Sequence, residues 1–148
     1  MSTVVIDDHL LRDVLTGDRP HDLDGLATGL ATTGLWLFRL TSSFAAPGTV
    51  GKLSAPVKAL PTSMQEQFRA QLISLPSEIE ILHLRDLAWS MAGLQHRHRQ
   101  LGHQLSAAMV EVLAAAHALG ADIAVSERDV GPNLRAASLH DGISFHTL

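Results

Sequence analysis

The apolar positions of this chain change period several times, and each change marks an element. Residues 3–6 (TVVI) form a continuous apolar run that stops at Asp7 and Asp8, the pattern of a strand buried on both faces. A helical pattern follows over 9–15. Asp8 is read as its cap, and Asp7 as either a second cap or a functional carboxylate. Gly17 and Pro20 break the chain before a short helical segment at 22–26. Residues 30–33 suit a second strand, and 35–44 a helix with Trp36, Leu37 and Leu40 along one side. The stretch 45–61 holds three prolines and two glycines and predicts a loop or flap with at most a short extended piece.

Ser63-Met64-Gln65-Glu66 matches a capping box, so a helix is expected to begin there and to end at Pro76, with Glu66 in a structural role. Residues 78–82 alternate like a strand, and Leu87, Ala88, Met91 and Leu94 mark an amphipathic helix from 84 to about 100. Ser106 can cap a helix that runs to Leu119, with Gly120 as its left-handed stop, and residues 121–126 (ADIAVS) read as a strand with Ile123 and Val125 on one face. A turn of helix after Pro132 and a last strand over 143–148 complete the chain. Alternation of strand and helix predicts a three-layer α/β/α fold around a mainly parallel sheet, with residues 4–7 as its central strand.

The helix over 107–119 is apolar nearly all round, with Glu111 and His117 its only polar side chains. A buried carboxylate is costly unless it is paired or bound to a cation. In a parallel sheet the loops beyond the C-terminal strand ends converge, which would gather Asp7, Glu111, Glu127 and Asp129. Carboxylates placed so would bind Mg²⁺ or Mn²⁺ and activate water against a phosphodiester.

Composition narrows the alternatives. The chain has 148 residues, enough for one domain over 1–148, and its 46% apolar content suits a packed core rather than disorder. Cysteine is absent, which removes disulfides, thiol catalysis and thiolate metal sites. No apolar run is long enough to cross a bilayer and no signal peptide is evident, so a cytoplasmic protein without a membrane partner is expected. A net charge of −4 argues against a general nucleic-acid coat but leaves room for a local basic patch. That patch would be His96, Arg97, Arg99 and His103, as an RNA-contacting rim or as cations in solvent at the end of a helix dipole. His96 and His98 point about 200° apart on a helix, too far round to share one metal ion. No GxGxxG, Walker loop or GxSxG elbow occurs. Lys52 and Lys58, the only lysines, lie in the 45–61 flap.

VVIDDHLL near the N-terminus and VEVLAAAHALGADIAVSERD near the C-terminus resemble the PIN-domain ribonucleases, the fold of VapC-type toxins. The resemblance places the first metal-binding aspartate on Asp7, the helix acid on Glu111, the threonine of Thr-x-Asp on Ser126, and the last acid on Glu127 or Asp129. A frame shifted by two residues puts Met109 at the helix-acid position instead. The family's glutamate on the helix after the second strand has no counterpart, because no acid occurs between Asp24 and Glu66.

The resemblance therefore implies a PIN-like domain with a degenerate acidic site, a non-catalytic binding or regulatory relative of VapC-type toxins. The alternative is a Mg²⁺- or Mn²⁺-dependent ribonuclease working with Asp7, Glu111 and Glu127 or Asp129 alone. An RNA-binding role through Arg97, Arg99 and the flap lysines is a third reading. The implied partners are RNA, an antitoxin-like or other protein, and a second copy in a homodimer.

Overall fold

The computed structural model describes residues 2–48, 51–129 and 131–148, with the side chain of residue 129 left out. The strands are β1 (Thr3–Ile6), β2 (Gly29–Thr33), β3 (Ile79–Leu82), β4 (Asp122–Val125) and β5 (Phe145–Thr147). Interleaved with them are α1 (Asp8–Thr16), α2 (His21–Leu26), α3 (Gly34–Ala45), α4 (Ala55–Lys58), α5 (Thr62–Ile73), α6 (Leu84–Gln100), α7 (Ala107–Leu119) and α8 (Pro132–His140). A single 3₁₀ turn, Glu127–Asp129, follows β4. The sheet order is β3-β2-β1-β4-β5 and every pairing is parallel, with Val4 beside Leu30 on one flank and beside Asp122 on the other.

Two cores follow from the two-residue period of the strands. Val5, Ile123 and Val125 face one layer, where Leu87 and Leu94 of α6, Val112 and Leu113 of α7, and Leu134 of α8 pack. Val4, Ile6 and Ala124 face the other, against Leu10 and Leu11 of α1, Leu23 of α2 and Phe68 of α5. The central strands are therefore apolar on both faces, as covered parallel strands must be. α3 contributes Trp36 to the first core and Leu40 to the second, so it bridges the layers beyond the C-terminal end of β2.

The predicted three-layer parallel architecture is the observed one, with 4–7 reduced to β1 and Asp7 just beyond its end. Three local expectations are corrected. The 45–61 segment contains a helical turn, α4, which has Pro near its start, where the missing N–H costs nothing. Ser63 lies inside α5, whose cap residue is Pro61, so the capping box does not form and Glu66 instead lies 3.8 Å from Arg69. The cap of α1 is Asp7, whose extended backbone (φ −77°, ψ −178°) suits that position, and Asp8 is the first helical residue.

α7 behaves as its composition demands. Every residue from Val110 to Ala116 is buried, Ser106 accepts the Met109 N–H, and Gly120 closes the helix at φ +59° with its N–H on the Ala116 and His117 carbonyls. Its alanines let the helix approach the sheet closely. Among the described residues no helix is long and apolar enough to span a membrane. Ala115 is fully buried, so Ala115→Leu should overpack this contact and cost about 1–3 kcal/mol. The expected readout is a lower urea midpoint with an unchanged slope; an unshifted midpoint would show slack between α7 and the sheet.

Candidate functional site

Strand order reverses at β1: the chain moves outward through β2 and β3, then returns to β4 on the opposite flank. α1 leaves β1 toward one face and α8 follows β4 onto the other, so a crevice must open beyond the ends of these two strands. Asp7 stands in it. Its Oδ1 accepts the Leu10 N–H at 2.9 Å and its Oδ2 accepts the Ser126 N–H at 3.0 Å. Burial pushes the Asp7 carboxyl up to about 6 and Asp8 adds to the rise, against the pull of the two backbone N–H groups and His9.

Asp8 is also fully buried. Its Oδ1 accepts from the His9 N–H at 2.9 Å and faces His9 Nδ1 at 3.1 Å, while Oδ2 lies 3.3 Å from Arg39 Nε. Arg39 is the only charged residue of α3. The hydrogen bond to Asp8 raises the His9 pKa more than burial lowers it.

A cavity of about 190 Å³ opens beside Asp7, and Arg39, Trp36, Met109 and Leu134 are among its walls. Asp7 is its only carboxylate among the described residues. Met109 occupies the α7 wall, which agrees with the shifted frame of the sequence comparison. Glu111 lies two positions further along, roughly 200° around the helix, and faces elsewhere. Fully buried, it accepts the Leu35 N–H through Oε1 at 2.8 Å and so satisfies a donor in the first turn of α3. Its Oε2 has no hydrogen-bond partner and lies against Gly34.

Glu127 is exposed in the 3₁₀ turn, and Asp129 ends that turn with its side chain outside the described residues. Asp7, Glu111 and Glu127 thus do not converge. The group of potential metal ligands that does converge among the described residues is Asp7, Asp8 and His9, with one donor atom each within 4.8 Å of one another. Two carboxylate oxygens and an imidazole suit Mn²⁺ better than Mg²⁺, and an ion there has to compete with His9 and Arg39 for Asp8.

The basic cluster also divides. Arg97 reaches Asp141 Oδ2 at 3.1 Å, and the same oxygen lies 3.0 Å from His98 Nε2 and 2.9 Å from His117 Nε2. His98 is fully buried, contrary to the expectation of cations in solvent. It continues the stripe of Leu87, Met91 and Leu94 at helical spacing, a signal present in the sequence but obscured by the charges around it. His117 is partly exposed on its hydrogen bond to Asp141. His96 faces Gln100 on the exposed side. Arg99 and His103 instead line a cleft of about 580 Å³ that also touches Met109. Of the flap lysines, Lys58 donates to the Ala46 carbonyl.

The raised Asp7 pKa sets a direction for stability. The folded state holds this proton up to about pH 6 whereas the unfolded chain releases it near 3.8, so stability falls as pH rises between these values, by on the order of 2–3 kcal/mol. Raised His9 continues the decline above 6.5. Asp141 acts oppositely and lower: burial is outweighed by its histidine hydrogen bonds, its pKa is lowered, and its contribution is lost only as pH falls below 3.8. Urea denaturation at constant ionic strength should show the decline between about pH 4 and about pH 6, and Asp7→Asn should flatten it. Stability rising through that interval would contradict the assignment.

No family model matches the chain, and no curated protein matches it. Among solved structures, a chain in the structure of FitAB bound to an IR36 DNA fragment is similar to it, with a TM-score of 0.56 and 14% identity over 97% of this chain and 94% of that one. The likeness is one of fold, and it agrees with a PIN-like, parallel α/β/α domain.

Proposed function

We propose that this chain is a PIN-like domain with a degenerate acidic site, a regulatory relative of VapC-type toxins that acts by binding RNA or a protein partner rather than by cleavage. The observation that carries this reading is the lining of the Asp7 cavity, where Arg39 and Met109 stand beside a single carboxylate. Hydrolysis by a bound Mg²⁺ needs several oxygen ligands and a water held near neutral pH as hydroxide. A guanidinium 3.3 Å from Asp8 repels such a cation, and a thioether is a poor ligand for it. The same guanidinium attracts a phosphate or carboxylate, which favours a binding role for the crevice. Trp89, 94% exposed on α6, is an apolar anchor that a protein partner or the second copy of a homodimer would cover. The FitAB structure contains DNA, which supports an assembly with protein or nucleic acid; a cytoplasmic setting belongs to the same proposal.

The second reading, a Mg²⁺- or Mn²⁺-dependent ribonuclease with a reduced carboxylate set, is favoured by one observation: Asp7, Asp8 and His9 bring three donors within reach of one ion. Two measurements separate the readings. Incubated with single-stranded RNA and millimolar Mn²⁺, the unaltered protein should leave the RNA intact, and its melting temperature should not move. The variant carrying Arg39→Glu and Met109→Asp rebuilds an acidic pocket. It should gain a Mn²⁺-dependent stabilisation of about 1.4 kcal/mol when the ion is at roughly ten times its Kd. Cleavage by the unaltered protein, lost in Asp7→Asn, would overturn the binding reading in favour of the nuclease.

A further inference from the structure

A second polar assembly, away from the Asp7 crevice, joins the end of α6, the loop behind it and the end of α8. Asp141 is almost fully buried and gathers Arg97, His98 and His117 on one carboxylate oxygen. From the other edge of its ring, His98 Nδ1 meets His103 Nδ1 at 3.0 Å, and the two rings stack with centroids 5.2 Å apart. His140 of α8 stands edge-on to both rings, at 5.8 and 6.2 Å.

One assignment of the ring protons satisfies every contact. In it Asp141 takes the Nε2–H of His98, and His98 Nδ1 accepts. His103 must then donate its own Nδ1–H, and its Nε2 is the ring nitrogen left for another partner. Asp141 and His98 thus act as positioning residues. They hold a half-buried imidazole in one tautomer and one orientation, as a carboxylate does for a catalytic or metal-bound histidine.

What His103 is held beside is the cleft of about 580 Å³, a volume that suits a small organic ligand. Arg99 lies on the same wall and, unlike Arg97, makes no side-chain hydrogen bond or ion pair among the described residues. The amides of Gln95, Gln104 and Asn133 line the cleft and are likewise unpaired there. Met109 supplies an apolar surface, and none of the described lining residues is acidic. The first turn of α7 opens at this cleft through Ser106, so the helix dipole adds to the positive field.

We propose that this cleft binds a nucleoside monophosphate unit, free or at the end of an RNA strand, with Arg99 and His103 on the phosphate and the amides on the base. The proposal extends the binding role argued above and does not depend on the state of the Asp7 crevice. Arg99 supplies a permanent charge and a forked donor for the phosphate. An N–H at the Nε2 edge of His103 would supply a second donor to the phosphate beside Arg99. The charged and titratable groups facing the relay are Arg97, Arg99 and His98 of α6, His117 of α7, and His140 and Asp141 at the end of α8.

The test titrates the full chain by calorimetry with the four nucleoside monophosphates. Inorganic phosphate serves as the anion control, and a short oligoribonucleotide is offered with and without a 5′-phosphate. Saturable binding is expected. Arg99→Gln should weaken it about tenfold, as loss of a charge-assisted contact does. His103→Gln should also weaken it, and the exposed His96→Gln should change nothing. Both Arg99 and His103 lie on the wall of an open cleft, so their variants should fold, which unchanged circular dichroism would verify.

Preference for the monophosphates or for the 5′-phosphorylated strand identifies the source of the unit, and either supports the site. Inorganic phosphate binding as tightly as every nucleotide, or binding indifferent to Arg99 and His103, overturns it. Cleavage of the bound oligoribonucleotide in Mn²⁺ would overturn the non-catalytic reading of the Asp7 crevice while leaving this site standing.

Discussion

The carboxylate of Asp7 is the point at which the two halves of the sheet are tied at their C-terminal edge. One oxygen serves the first turn of α1, three residues away; the other reaches the Ser126 N–H across a separation of 119 residues. The crevice at the strand-order reversal exists because α1 and α8 leave on opposite faces, and this bond spans it. A group that satisfies two backbone donors from a buried position offers a metal only its remaining lone pairs. Its raised pKa expresses the same conflict, since the burial that makes it a good structural bridge penalises the charge a ligand needs.

Around that bridge the charges form an arrangement of their own. Arg39 neutralises Asp8 from α3, and Met109 of α7 closes the wall where an acid would complete a hydrolytic pocket. Glu111, which could have supplied that acid, instead holds the first turn of α3 and thereby fixes the helix that presents Arg39. Arg39, Met109 and Glu111 are therefore mutually supporting, and a single change to an acid at Met109 or Arg39 would meet the others still in place.

Most of the fold was legible in the sequence because it depends on local periodicity. The strands at 3–6 and 121–126, the Ser106 cap and the Gly120 stop follow from side-chain alternation and from one residue's freedom to adopt positive φ. The site was less legible, since it depends on rotation about helix axes and on partners far apart in the chain. Glu111 was readable as a buried acid in need of a partner, but a peptide N–H 76 residues away leaves no trace in its own neighbourhood. Arg39 was hidden for the opposite reason: a lone cation on an otherwise uncharged helix gives no sign of the buried acid, 31 residues earlier, that it faces. His98 belonged to a visible apolar stripe, yet its partner Asp141 lies 43 residues on, beyond two more helices and a strand.

The pairing of β1 with β4 has a consequence for how the chain is made. β1 leaves the ribosome first and can take β2 as a neighbour early, over the register Thr3 to Gly29 through Val5 to Ala31. Its other edge, Val4 to Ile6, waits for Asp122 to Ala124, which are synthesised more than a hundred residues later. For that interval the most hydrophobic strand of the sheet has one open row of backbone donors and acceptors, a template for pairing with another chain. The long-range contacts make folding slow as well, because loop closure must precede their reward. Asp7 and Asp8, which sit at the end of that exposed strand, give it a charged terminus during the delay. In that interval the two acids stand where gatekeeper charges keep an apolar strand from pairing with another chain.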